Sequence, residues 1–179
     1  MKKLAVLFAT WFYSGLIPPI ILKGMAGTYG SLAAIPLCIL MVQKVAPTPI
    51  GGFMYFVICA NTLAWGMNAV RIAEVELGPR TDWKGKTKVR DQNQIVIDEV
   101  LGMQITCIPL LFITYYTWWV YLVAFGWFRL FDIKKIPPTK FFDRQHTPFG
   151  VMMDDVIAGV YAATCMWATI AICNLFFNL

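Results

Sequence analysis

Gly150-Val-Met-Met-Asp-Asp-Val-Ile-Ala-Gly159 opens a stretch that runs on to Leu179 with no further charged residue after Asp155. Two adjacent carboxylates therefore stand at the head of a long apolar segment. A helix needs about 20 apolar residues to cross a bilayer core, and residues 156–179 supply them. The same design occurs earlier in the chain. In Gln94-Ile-Val-Ile-Asp-Glu-Val-Leu-Gly102 the pair Asp98-Glu99 precedes a second uncharged run, 100–128.

Three more runs, 4–22, 24–43 and 45–70, also lack Asp, Glu, Lys and Arg. The 179 residues are 59% hydrophobic and 14% charged, against about 45–50% and about 25% in soluble domains. Mean hydropathy is +0.63. The expectation is an all-α, multi-helix integral membrane protein with short or bent transmembrane helices and two cytoplasmic polar loops. Its length fits one membrane-embedded domain over 1–179.

Gly15 and Pro18-Pro19 break the first apolar run, because proline removes a backbone donor and clashes with the preceding turn. Residues 24–31 read as a small-residue turn, and 32–43 and 50–70 as two helices joined around Lys44. The polar loops are 71–93 and 129–150. The aromatic cluster Thr114-Tyr-Tyr-Thr-Trp-Trp119 resembles an interfacial belt that divides 100–128 into two short membrane helices. The last helix is expected from about Val151. Both polar loops and Lys2-Lys3 are rich in basic residues, so the positive-inside rule places all three in the cytoplasm. By parity residues 4–22 then bend back or lie in the interface.

Cys38, Cys59, Cys107, Cys165 and Cys173 form no C-x-x-C pair, which argues against a zinc site or a disulfide framework. The net charge of +5 suits a surface of anionic lipid. A chain this apolar makes nucleic acid a poor partner.

An ionised carboxylate in an apolar setting is costly unless it is paired or binds metal. Helix capping through the macrodipole accounts for one acid per helix. It accounts poorly for two consecutive ones, whose side chains point about 100° apart. Asp98, Glu99, Asp154 and Asp155 are thus candidate metal ligands. Oxygen donors with no nearby His or Cys suit Mg²⁺ better than zinc. Asp91 would share a face with Asp98 on a continuous helix. Asp132 and Asp143 alternate with Arg129, Lys134, Lys135, Lys140 and Arg144, either as a self-paired surface or as part of a site. Gly27-Thr-Tyr-Gly-Ser31 offers backbone N–H groups and the Thr28 and Ser31 hydroxyls to an anion, although taken alone the motif is better explained by a plain Ser N-cap. Arg129, Lys134 and Arg144 are candidate phosphate partners. His146 is the single histidine.

Other phosphate chemistries lack their residues. No cysteine is followed by arginine at short spacing, no D-x-D-x-[TV] occurs, and one histidine cannot build a histidine-based lipid phosphatase. Acidic residues plus metal remain. The metal would neutralise charge on the phosphate and activate water, with a covalent carboxylate intermediate as the other route.

Five co-linear blocks over about 14–161 resemble the phosphatidylglycerophosphatase A family. They are Ser14-Gly-Leu…Gly27-Thr-Tyr-Gly-Ser-Leu-Ala-Ala-Ile-Pro36, Ile95-Val-Ile-Asp-Glu-Val-Leu-Gly-Met-Gln-Ile105, Phe128-Arg-Leu-Phe-Asp-Ile-Lys-Lys135, Phe142-Asp-Arg144 and Gly150-Val-Met-Met-Asp-Asp-Val-Ile-Ala-Gly-Val160. The resemblance implies Mg²⁺-dependent dephosphorylation of phosphatidylglycerophosphate to phosphatidylglycerol, in phospholipid biosynthesis, on the cytoplasmic face of a bacterial inner membrane. It points to Asp98, Glu99, Asp132, Asp143, Asp154 and Asp155 as catalytic, the first two and last two of these as Mg²⁺ ligands, and Thr28, Ser31, Arg129 and Arg144 as phosphate-binding. A membrane carrier for a cation or phosphate is the alternative. It would place an acid in mid-span rather than at a helix start.

Overall fold

The computed structural model describes residues 2–16, 26–81, 87–88, 92–113 and 117–177. Pro18-Pro19, Asp91 and Thr114-Tyr-Tyr116 fall outside them. The helices are α1 (Lys2–Ala9), α2 (Ala26–Leu40, continued as a π-helix to Val45), α3 (Gly51–Leu77), α4 (Ile97–Thr106), α5 (Trp119–Lys134), α6 (Thr139–Asp143) and α7 (Pro148–Phe177). Short 3-10 turns occupy Ser14–Leu16 and Ile108–Phe112. Two two-residue strands, β1 (Arg80–Thr81) and β2 (Thr87–Lys88), pair antiparallel beyond α3. Turns and short irregular segments join the helices, and the described residues hold no other strand.

Ala26–Val45, Gly51–Leu77 and Pro148–Phe176 are long and apolar enough to cross a membrane. Neither α3 nor α7 confines its apolar residues to one face, the pattern of a helix that is buried or spans a membrane. α1 is eight residues, about 12 Å at 1.5 Å per residue, and too short to cross. It ends in a tight bend in which Trp11, Phe12 and Tyr13 all take positive φ. Two bonds tie this bend down: the Trp11 indole donates to the Ala33 carbonyl at 2.9 Å, and the Val96 N–H donates to the Ala9 carbonyl at 2.9 Å. At the other end of α1, Lys2 pairs with Glu76 at 2.6 Å. The chain start thus sits beside the last turn of α3.

α4 is the packing centre. It touches α2, α3, α5 and α7, and Ile97, Val100, Leu101, Gly102, Met103, Gln104 and Thr106 are all buried. Its approach to α7 depends on two glycines. A Cβ on Gly159 would lie 2.7 Å from the Gly102 carbonyl, and one on Gly102 would strike the Phe128 ring and come within 3.1 Å of the Asp155 carbonyl. Any side chain at either position would push the two acid-bearing helices apart.

Several boundaries differ from expectation, two of them because a helix continues into charged sequence. α3 extends to Leu77, through Arg71, Glu74 and Glu76. α5 continues through Arg129 and Asp132 to Lys134, so much of the expected loop 129–150 is helix, with α6 inside it. The 24–31 turn is corrected too, since α2 already begins at Ala26 and Gly27–Ser31 form its first turns. α7 starts at Pro148, a favourable first helical residue because its missing N–H would have no partner there. Asp154 and Asp155 therefore lie in the second turn. α4 starts only at Ile97, so no continuous helix joins positions 91 and 98.

Candidate active site

α4, α5 and α7 bring their charged residues to one cavity of about 460 Å³ beside the start of α2. Its walls carry Asp98 and Glu99 from α4, Asp132 and Arg129 from α5, Asp154 and Asp155 from α7, and Asp143 from the end of α6. Lys135, just past α5, completes the charged lining. Ala26 and Gly27, at the start of α2, form part of the rim.

One carboxylate oxygen each from Asp98, Glu99 and Asp155 lies within 4.8 Å of the others. Asp98 Oδ1 and Glu99 Oε2 are buried without a hydrogen-bond partner. Buried polar atoms in folded proteins are nearly always satisfied, so two unpartnered carboxylate oxygens facing a third acid ask for a cation. The all-oxygen donor set fits Mg²⁺.

Asp154 takes a different direction. Its Oδ2 accepts from Lys135 Nζ at 2.8 Å, and its Oδ1 accepts the Asp155 N–H at 3.1 Å. The same lysine also bonds to Asp143. Lys135 therefore clamps α6 to α7 at the cavity edge. The sequence offered it only as one of several loop cations. Its left-handed backbone (φ 43°, ψ 61°) at the α5 C-cap turns it inward, while Lys134 is exposed. Burial opposes its charge, but the carboxylates of Asp154 and Asp143 outweigh that and raise its pKa above the usual lysine range.

Arg129 Nη1 pairs with Asp132 at 2.6 Å and donates to Ser31 Oγ at 3.4 Å. Ser31 is fully buried and donates to the Gly27 carbonyl at 2.7 Å. Its hydroxyl thus supports Arg129 from behind. Gly27 leaves room for this arrangement, since a Cβ would displace the Glu99 carboxylate and lie 3.2 Å from Arg129 Nη1. Thr28, Ser31 and Arg144 do not line the cavity, in contrast to the phosphate-binding expectation. Arg144 and His146 are exposed.

Burial is the first cause that raises the Asp98 pKa, and the adjacent Glu99 charge adds to it. Burial likewise pushes Glu99 up to about 8, against the lowering effects of a hydrogen bond with Asp98 and the Arg129 charge. Six carboxylates face two cations across the cavity. Fully ionised, it would hold four negative charges in excess, and a phosphate monoester brings about two more.

A family model described as Phosphatidylglycerophosphatase A matches residues 7–170. The chain belongs to the phosphatidylglycerophosphatase A family. It is 31% identical over 176 residues to the Phosphatidylglycerophosphatase A of Haemophilus influenzae, covering 94% of this chain and 93% of that protein. It is 32% identical over 162 residues to the Phosphatidylglycerophosphatase A of Escherichia coli K12, covering 90% and 80%. No solved structure gives a significant match. As a phosphatidylglycerophosphatase A family member the chain is an enzyme, a phosphatase. The family match takes in every charged residue lining the cavity.

Proposed function

We propose that this chain hydrolyses the terminal phosphate of phosphatidylglycerophosphate in a Mg²⁺-dependent reaction, yielding phosphatidylglycerol and phosphate. The observation that carries the reading is the convergence of Asp98, Glu99 and Asp155, from helices more than fifty residues apart in sequence, within 4.8 Å beside Arg129. Family membership supplies the substrate.

Asp98, Glu99 and Asp155 would hold Mg²⁺, with Asp154 beside them on the Lys135 clamp. When bound, the ion supplies charge neutralisation and Lewis acidity toward a phosphoryl oxygen. Arg129, fixed between Asp132 and Ser31, presents a guanidinium edge to the phosphate and orients it. Lys135 and Asp143 close the opposite side. Apolar rim residues such as Ile133 and Val151 let the glycerol end of the lipid lie against the protein while its acyl chains stay in the bilayer. The basic loops and Lys2-Lys3 support a cytoplasmic site in a bacterial inner membrane, with a role in phosphatidylglycerol biosynthesis.

The test is phosphate release from phosphatidylglycerophosphate by purified protein in mixed micelles. Release is expected with Mg²⁺ and lost with EDTA, and Asp155→Asn and Asp98→Asn should each lower it by at least about 100-fold. Full activity in EDTA, or in either variant, would defeat the metal-site reading. An inactive wild type with intact Mg²⁺ binding would defeat the substrate.

A further inference from the structure

α3 carries two asparagines where a membrane helix can least accommodate them. Asn61 and Asn68 are both exposed on the molecule's outer face. The uncharged part of α3 runs from Gly51 to Val70, with its midpoint between Ala60 and Asn61. At 1.5 Å per residue, Asn61 lies at that midpoint and Asn68 about 11 Å from it, still inside the half-thickness of about 15 Å of a bilayer core. Each amide makes one bond, to its own helix: Asn61 Nδ2 donates to the Val57 carbonyl at 2.8 Å, and Asn68 Nδ2 to the Ala64 carbonyl at 3.1 Å. Beyond that bond each exposed amide still has its Oδ1 acceptor and a second N–H to satisfy. Water, which would satisfy them on a soluble surface, is missing from the bilayer core, and acyl chains offer neither donor nor acceptor.

The two positions are seven residues apart, the repeat that keeps one seam facing a partner along two supercoiled helices. Val75 and Met54 continue the seam outward at the same spacing. Ala64, between the asparagines, is small enough for close backbone approach. Trp65, 67% exposed beside them, also sits in mid-span, away from the interfacial level that tryptophan favours. A primary amide is its own complement, because its donor meets another's acceptor. Two copies inserted the same way up are related by a two-fold axis along the membrane normal, which brings Asn61 to Asn61 and Asn68 to Asn68.

We propose that α3 pairs with α3 of a second copy of this chain through Asn61 and Asn68, making the protein a homodimer in the bilayer. The inference rests on α3 crossing the membrane and is independent of the phosphatase reading.

The experiment counts photobleaching steps of protein carrying one fluorophore per chain at the N-terminus, in phosphatidylcholine–phosphatidylglycerol liposomes. Wild type is expected to bleach mostly in two steps. Asn61→Leu/Asn68→Leu should bleach in one, its association weakened by about tenfold or more, while it still releases phosphate in the lipid assay. Asn61→Gln/Asn68→Gln, which keeps the amides, should stay paired, as should Val160→Ala on the exposed face of α7. Single-step wild type, pairs that survive the leucine changes, or protein released from membranes by alkaline carbonate would each overturn the proposal. Loss of phosphate release with pairing intact would strike the proposed function and leave the dimer standing.

Discussion

Lys135 is the residue whose role the linear sequence conceals most. It holds Asp143 and Asp154 together across two helices. Removing its charge would leave two acids facing each other at the edge of an already acidic cavity. A fully buried ion pair broken in this way costs about 3–5 kcal/mol. The Lys135 side chain is 30% exposed, so Lys135→Gln should cost about 2 kcal/mol once solvent screening is allowed for. Thermal unfolding in detergent would measure it, and an unchanged midpoint would show that the clamp contributes nothing. Glu99 gives a second expectation at this scale. In metal-free protein its carboxyl titrates near 8 instead of its ordinary 4.5. Between those values the folded chain holds a proton that the unfolded chain has released, so folded stability falls as pH rises through this window. The midpoint of the EDTA-treated protein should drop between pH 5 and pH 8. Added Mg²⁺ should raise it most at the alkaline end, where the carboxylate is free to bind. A flat profile with EDTA would count against the buried carboxyl.

At the scale of the element, the crossing of α4 and α7 sets the distance between the acid pairs. Gly102→Ala places a methyl group against Phe128 and the Asp155 backbone. Overpacking of this kind costs about 1–3 kcal/mol. It should also separate Asp98 and Glu99 from Asp155, so Mg²⁺ affinity is expected to fall together with the melting temperature. Calorimetric Mg²⁺ titration of the folded variant would check this, and wild-type affinity would show that the glycine contact does not govern the site. The acid pairs themselves were legible in sequence, because charge inside apolar surroundings needs a reason. The helix ends were not. Arg129, Asp132 and Glu76 read as loop residues by polarity, yet each continues a helix whose one face is a cavity wall or a bundle edge. Polarity alone cannot separate a helix that lines a polar cavity from a loop. Ser31 shows the same difficulty more sharply. Its hydroxyl looked available to an anion, but four residues back the Gly27 carbonyl lies within its reach as soon as the segment is helical.

For the whole molecule, the charged helix ends gather on one side of the bundle. α2 leaves the site and α3 returns to it. α4 leaves, α5 returns with Arg129 and Asp132, and α7 leaves again. Residues Phe112, Thr117, Trp119 and Asn174 meet around a second, more apolar cavity at the far end. This alternation was readable from the uncharged runs, since each polar stretch had to lie at a bundle end. The packing of α1 was not, because nothing local announces that Ala9 will bond to Val96. In intact spheroplasts, cysteine introduced at exposed Lys140 should resist a membrane-impermeant maleimide until the membrane is opened, whereas labelling from outside would invert the proposed sidedness.

Lys2, paired to Glu76 beside the site, and Phe177, at the last turn of α7, stand at opposite ends of the bundle. With the proposed cytoplasmic site, reporter proteins fused ahead of α1 and after α7 would answer to different compartments. An enzyme that matures only after export should stay silent when joined ahead of α1 and become active when joined after α7. A fluorescent protein that folds only in the cell interior should behave the other way round.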